Sequence, residues 1–330
     1  MSSIKLAGFL FSGLALSIIG LVACSQAPKQ IPMRDFFKNP EKAYYQVSPD
    51  GNFISFTMPY ETRMNIFVQA RGSQEEPKRI TSVTDRDIWQ YFWKGSDRLL
   101  FMRDFGGDEN FHLFAVDRSG EKTVDLTPFE STRVEMVDDL YDHPTDVIIG
   151  MNKRNKQIFD CYRLNTATGE LTMIAENPGN ITSWVTDHDG RILVAGTTDG
   201  VNTSLLYRTT EKDKFNSILT TSFKEQFAPM FFTFDNKNIY AASNLGRDKI
   251  SIVLFDLATA KETEVLYENP EVDVENMEYS RHRKVLTVVN YTTWRHQRKF
   301  LDKETEELQT KLEKQLPGYD VYVTFMNKNE

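Results

Sequence analysis

The sequence predicts an all-β fold, a β-propeller of four-stranded blades, from three observations. A tight-turn cassette recurs at a nearly constant step, two short apolar runs follow each turn, and helical periodicity is nearly absent. The turns are Pro49-Asp50-Gly51, Gly95-Ser96-Asp97, His143-Pro144-Thr145, Asp189-Gly190, Asp235-Asn236 and Arg281-His282-Arg283. Markers at positions 50, 96, 144, 189, 235 and 282 lie 46, 48, 45, 46 and 47 residues apart. Propeller blades need ~40–50 residues and bury their faces against their neighbours, which suits this step. Two unrelated β-sandwiches would not keep that register over so many units.

Each unit is justified in turn by its runs. The first turn leads into 53–58 and then 66–68, the second into 99–102 and 113–116, and the third into 147–151 and 161–164. The fourth leads into 192–195 and 205–207, the fifth into 239–242 and 252–257, and the sixth into 285–289 and the weaker pair Phe300-Leu301. β-branched and aromatic residues dominate the runs, and Gly, Asn and Asp punctuate them, as half-buried hairpins require. Trp89 and Trp93 lie four apart and read as inter-blade core on one side of a strand, with Tyr91 and Phe92 on the other. One helix is expected over Lys303–Gln315, where Leu308 and Leu312 form an apolar stripe and Pro317-Gly318 ends it. Residues 319–325 then read as the first strand of a seventh blade.

At the N-terminus, Lys5 precedes an apolar stretch over 6–22 that ends in Leu21-Val22-Ala23-Cys24. That pattern reads as a lipoprotein signal peptide over 1–23, with Cys24 carrying the lipid and 24–33 serving as a tether to a propeller over 34–330. Ser25 after the cysteine resembles the sorting pattern for the bacterial outer membrane, which gives an envelope location facing the periplasm. Cys161 is then the only thiol left, so no intramolecular disulfide can form; its apolar strand context reads as a buried structural thiol.

The chain has 330 residues, 40% of them hydrophobic, and a net charge of −8, so it can bury a sizeable core and lacks the basic surface that nucleic acid would need. It contains no G-x-S-x-G elbow, no phosphate-binding loop, no H-E-x-x-H and no paired C-x-x-C, so no catalytic residue, metal ligand set or cofactor is assigned. Asp104-Phe105-Gly106 spells a kinase tripeptide without the rest of a kinase. Asp138, Asp139, Asp142 and His143 have no EF-hand spacing and read as capping and turn groups.

Alternation along a blade puts the marker turns on one face and the second-to-third-strand loops on the other. The latter carry Glu61, Arg63, Arg103, Asp104, Asp108, Glu109, Lys153, Arg154, Asp199, Arg247, Asp248, Trp294, Arg295 and His296, a polar ring that is the candidate surface for a docked domain or a peptide.

The loops also carry a resemblance. Asp35-Phe36-Phe37-Lys38-Asn39-Pro40 with Ser48-Pro49-Asp50-Gly51-Asn52-Phe53-Ile54-Ser55-Phe56 resembles the opening of the prolyl oligopeptidase family of serine peptidases. Arg103-Asp104-Phe105-Gly106-Gly107-Asp108-Glu109-Asn110-Phe111-His112-Leu113, followed by Leu126-Thr127-Pro128-Phe129, resembles the second blade of its acylaminoacyl-peptidase and dipeptidyl-peptidase-like branch. Asn244-Leu245-Gly246-Arg247-Asp248-Lys249 and Asp256-Leu257-Ala258-Thr259 resemble a later blade of that branch.

The resemblance implies a seven-bladed propeller that caps a C-terminal α/β-hydrolase domain with a Ser-Asp-His triad, and peptides as substrates. The sequence stops at Glu330, so it is expected to be the gating propeller without that domain, inactive alone, and no triad residue is carried over. The alternative is a free-standing envelope propeller that binds a protein or peptide partner; an unclosed ring, with its exposed strand edges, argues against it.

Overall fold

The computed structural model describes residues 30–88 and 90–329; the stretch expected to be a signal peptide, Cys24 and Trp89 lie outside the described residues. The chain divides into a unit ending at Pro40 and a larger one over Glu41–Glu330. In the first, the single turn α1 (Met33–Phe36) follows Pro32 and leaves Met33, Phe36 and Phe37 exposed.

The larger unit is five four-stranded antiparallel sheets and one three-stranded sheet, each a simple meander. Blade 1 holds β1 (Ala43–Val47), β2 (Phe53–Tyr60), β3 (Arg63–Ala70) and β4 (Lys78–Arg79). Blade 2 holds β5 (Tyr91–Lys94), β6 (Arg98–Arg103), β7 (His112–Asp117) and β8 (Thr123–Asp125). Blade 3 holds β9 (Val134–Asp138), β10 (Asp146–Asn155), β11 (Ile158–Asn165) and β12 (Leu171–Ala175). Blade 4 holds β13 (Ile181–Thr186), β14 (Ile192–Thr198), β15 (Thr203–Tyr207) and β16 (Asn216–Thr221). Blade 5 holds β17 (Phe227–Phe232), β18 (Asn238–Ser243), β19 (Ser251–Asp256) and β20 (Lys261–Tyr267), and blade 6 holds β21 (Val274–Ser280), β22 (Val285–Thr292) and β23 (His296–Phe300). The expected propeller of repeated blades is the observed fold.

Local chemistry sets each marker turn. Ser48 Oγ accepts from Phe53 N at 2.9 Å while Asp50 Oδ1 accepts from Asn52 N at 3.0 Å. Thr233 and Asp235 repeat the arrangement toward Asn238 N and Lys237 N, and Asp187 alone takes both Asp189 N and Arg191 N. These short side chains bracket the backbone where it must reverse.

Period-two alternation then divides each strand between two neighbours. In β6, Leu99 and Phe101 join Ile66, Val68 and Trp93 in the cluster between blades 1 and 2, while Leu100 joins Val147, Ile149 and Leu164 between blades 2 and 3. Leu140, Ile148, Cys161 and Ile192 fill the next interface, Val194, Ile239 and Phe255 the one after, and Ile252, Met277 and Val289 the last. Cys161 is wholly enclosed and its thiol is pushed well above the ordinary range by burial, the behaviour of a structural residue.

Hydrogen bonds between blades fall at the repeat step. Gln46 Nε2 reaches Tyr91 O at 2.6 Å across 45 residues, Asp50 N reaches Ser96 Oγ at 3.2 Å across 46, and His188 N reaches Asn236 Oδ1 at 2.9 Å across 48. Tyr91 OH and Trp93 Nε1 both contact Ser55 Oγ, at 3.1 and 2.9 Å. Tyr91 therefore shares the side of Trp93, as two residues two apart must; only Phe92 faces the other way, a correction to the expected assignment.

Two further expectations near the C-terminus change. After β23, Asp302 caps α2 (Lys303–Gln315) by accepting from Thr305 N at 2.9 Å, so the chain enters a helix and blade 6 has three strands among the described residues. Leu308 is 40% exposed; the buried helical residue is Gln309, whose amide donates to Val321 O at 2.8 Å. Residues 319–325 form no ladder: Val321 O accepts from Arg298 and Gln309, and Lys328 N donates to Pro49 O at 2.9 Å. A blade's first strand needs its second as a partner, and none of the described strands offers that edge.

Lys94, at the end of β5, is buried with its ammonium on Leu140 O at 3.0 Å and on Asp139 O. Burial lowers its pKa from 10.5 to about 8, against the opposing pull of Asp139, Asp138 and Asp146 and with a smaller downward push from Arg281. Between those values the unfolded chain binds more protons than the folded one, so stability rises with pH across that window. Thermal melts from pH 7.5 to 10 should show a rise in Tm that the Lys94→Met chain lacks; parallel curves would contradict the burial of this amine.

Candidate functional site

The meander alternates ends, so the marker turns lie on one face, and the second-to-third-strand loops share the other with the connectors between blades. Blade 2 builds the most developed part of that loop face. Arg103, at the end of β6, pairs with both oxygens of Asp85 at 3.0 and 3.1 Å. Next to it, Asp104 is 3% exposed, with Arg86 Nε at 3.5 Å and Glu109 N at 3.3 Å.

The loop itself is shaped by Asp108, which accepts from Phe105 N, Asn110 N and Asn110 Nδ2 at 3.3, 3.1 and 3.1 Å. The Asn110 side chain, ahead of the two backbone donors, holds the Asp108 carboxyl below the ordinary range. Glu109 takes a left-handed φ of 59°, and Gly107, at φ 88°, lets the Arg86 guanidinium approach where a Cβ would sit 3.4 Å away. Phe105, 45% exposed, lies edge-on to His112 with the Arg103 guanidinium 5.2 Å from its ring.

The other predicted residues sit on their own blades. Arg63 opens β3, and Glu61 before it adopts a left-handed φ of 54°. Lys153 lies over the Phe129 ring at 3.6 Å, and Arg154 makes two 2.8 Å bonds to Asp160, whose side chain is fully buried. Asp199 takes Val201 N and Asn202 N, and the Asn202 backbone donor above all lowers its pKa to about 2. Arg247 reaches Glu262 at 2.6 Å, and Asp248 projects into solvent beside Lys249. Trp294, 82% exposed, tips the β22–β23 hairpin with the Arg295 guanidinium 4.5 Å from its ring, and His296 meets Tyr322 edge-on.

The face thus carries guanidinium–carboxylate pairs on blades 2, 3 and 5, with Phe105 and Trp294 exposed beside them. Sequence reasoning placed Arg103 and Asp104 here and missed their partners Asp85 and Arg86, as well as Asp160 and Glu262. Asp85 and Arg86 were findable, because a connector between blades must emerge on the loop face.

No family model matches the sequence. The chain is 33% identical over 249 residues, 72% of its own length, to dipeptidyl aminopeptidase BIII of Pseudoxanthomonas mexicana, covering 35% of that protein. It is 24% identical over 286 residues, 80% of its length, to dipeptidyl peptidase family member 6 of Caenorhabditis elegans, covering 38% of that protein. The chain therefore spans little more than a third of either relative. Its fold superposes on a prolyl endopeptidase structure with a TM-score of 0.55 at 11% identity, over 88% of this chain and 45% of that one. The prolyl endopeptidase likeness shows the propeller fold, and the 33% identity to the dipeptidyl aminopeptidase shows that the chain belongs, as a propeller portion, to the prolyl oligopeptidase family.

Proposed function

We propose that this chain is the substrate-gating propeller of a lipid-anchored serine peptidase, docking an α/β-hydrolase domain on its loop face and hydrolysing nothing by itself. The observation that carries this reading is the 33% identity to a dipeptidyl aminopeptidase across 72% of the chain. The loop-face pairs support it, since fixed ions and exposed aromatics suit a partner surface. Cleavage needs a nucleophile, a base and an oxyanion hole, all assigned in this reading to the hydrolase domain.

The test is release of p-nitroaniline from dipeptidyl anilides. The chain alone should match the buffer rate, and adding the separately produced part of the 33%-identical relative that this chain does not match should raise the rate above that part's own. Turnover by this chain alone would overturn the assignment. The anchor belongs to the same proposal and rests on Lys5, the 6–22 apolar stretch and Leu21-Val22-Ala23-Cys24. Palmitate labelling of the outer-membrane fraction should vanish in the Cys24→Ala chain; unchanged labelling would refute it.

A further inference from the structure

Five of the six blades carry a fourth strand paired antiparallel to the third, whereas blade 6 stops at β23 among the described residues. Bonds from Thr293 N to Arg295 O at 3.1 Å and from Leu301 N to Thr287 O at 2.8 Å set the phase of the β22–β23 ladder, in which Tyr291 stands opposite Gln297 and Val289 opposite Lys299. Because antiparallel pairs alternate, Gln297 and Lys299 turn their N–H and C=O groups to β22, and His296, Arg298 and Phe300 turn theirs outward. No described residue bonds to those outward groups. An edge with open donors and acceptors is a template for one more strand.

The two faces of this edge differ in chemistry. His296, Arg298 and Phe300 line a cavity of about 600 Å³, completed among others by Leu308 of α2 and by Tyr322 and Val323. Arg298 is already engaged there, donating to Val321 O at 2.7 Å with its guanidinium 4.6 Å from the Tyr322 ring, which leaves Phe300, Leu308 and Tyr322 as an apolar wall. On the other face Arg295 and Lys299 are exposed. Arg295 lies 4.5 Å from the Trp294 ring, and neither cation meets a carboxylate among the described residues. These charges oppose pairing of β23 with a second copy of itself, since like charges facing each other across two strands are destabilising.

We propose that β23 is a docking edge for an extended acidic segment of another protein, which adds antiparallel to it as the fourth strand of blade 6. Residues of the segment opposite His296, Arg298 and Phe300 lay apolar side chains over the cavity, and the residues between them present carboxylates to Arg295 and Lys299. Backbone bonds hold the added strand, while the two faces select for an alternation of apolar and acidic residues. The edge lies on the outer rim of its blade and depends on no part of the proposed function.

The probe is a fluorescein-labelled peptide of alternating valine and glutamate, about eight residues long so as to span β23, titrated with the chain while its polarisation is followed. Saturable binding is expected. Methylating the valine nitrogens, which point at β23 in this pairing, should weaken it about tenfold, and methylating the glutamate nitrogens, which point away, should leave it unchanged. Lys299→Glu should weaken it about fivefold. Arg298→Pro removes one outward N–H without touching the ladder to β22, and should bind about tenfold more weakly than Arg298→Ala, which keeps that N–H. The peptide comparisons need no change in the chain, so they stand even if Arg298→Pro fails to fold. No rise in polarisation up to ~1 mM chain, or equal binding of the two methylated peptides, would overturn the docking edge. A peptide-free dimer that Arg298→Pro dissociates would give the edge to a second copy and overturn it equally.

Discussion

Replacing Trp93 with alanine is expected to destabilise the chain by about 3–5 kcal/mol, the range for emptying a large aromatic site in a packed core. Trp93 is 6% exposed within the cluster that joins blades 1 and 2, and its indole N–H donates to Ser55 Oγ at 2.9 Å. The same hydroxyl contacts Tyr91 OH, which in turn donates to Tyr44 O at 2.6 Å, and burial pushes the Tyr91 phenol well above its ordinary range. Removing the indole therefore opens a void and strands a polar group where two blades meet. Urea unfolding measures the loss. Trp294→Ala, at the tip of an exposed hairpin, is the control and should leave the midpoint in place. An unchanged midpoint for Trp93→Ala would contradict the blade packing.

Asn65→Leu carries the second large effect. Its carboxamide is fully buried in β3, donating to Arg63 O at 3.1 Å and Val83 O at 2.9 Å, and accepting from Thr81 Oγ at 3.0 Å and Val83 N at 2.8 Å. Leucine is close in size but leaves those partners without their bonds, at ~1–3 kcal/mol for each group that stays dry, so a loss of about 3 kcal/mol is expected. The connector held by Asn65 is the one that delivers Asp85 and Arg86 to Arg103 and Asp104. Hydrogen exchange over 80–90 should accelerate with the loss of stability. A variant as stable as the parent, with the connector equally protected, would contradict the role given to Asn65.

The fold was legible because turn chemistry is local. Ser48 with Asp50, and Thr233 with Asp235, satisfy their own backbones within a few residues, so their spacing can be read without knowing what packs where. Apolar runs between the turns then settle the pleat, and Cys161 falls into the core for the same reason. Side assignments fail where alternation is miscounted, as with Tyr91. Composition also misleads where a polar side chain finds partners: Gln309 is buried because Val321 O and Glu313 satisfy its amide, while Leu308 remains open. The site was half legible. Arg103, Asp104 and Arg247 stand in recognisable loops, but their partners Asp85, Arg86 and Glu262 come from a connector and an outer strand. Arg281 on Asp139 lies further still from sequence reasoning, since nothing local links residues three blades apart.

The proposed function requires the loop face to meet a catalytic domain, and a hydrogen-exchange footprint measures that directly. The chain is mixed with the separately produced part of the dipeptidyl aminopeptidase relative that it does not match, and protection is compared with the chain alone. Protection is predicted over the loop face, at 103–111, 244–250 and 293–295, with the marker turns at 48–52, 187–191 and 233–237 unchanged. Protection confined to the marker turns, or none at concentrations that support trans hydrolysis, would contradict it.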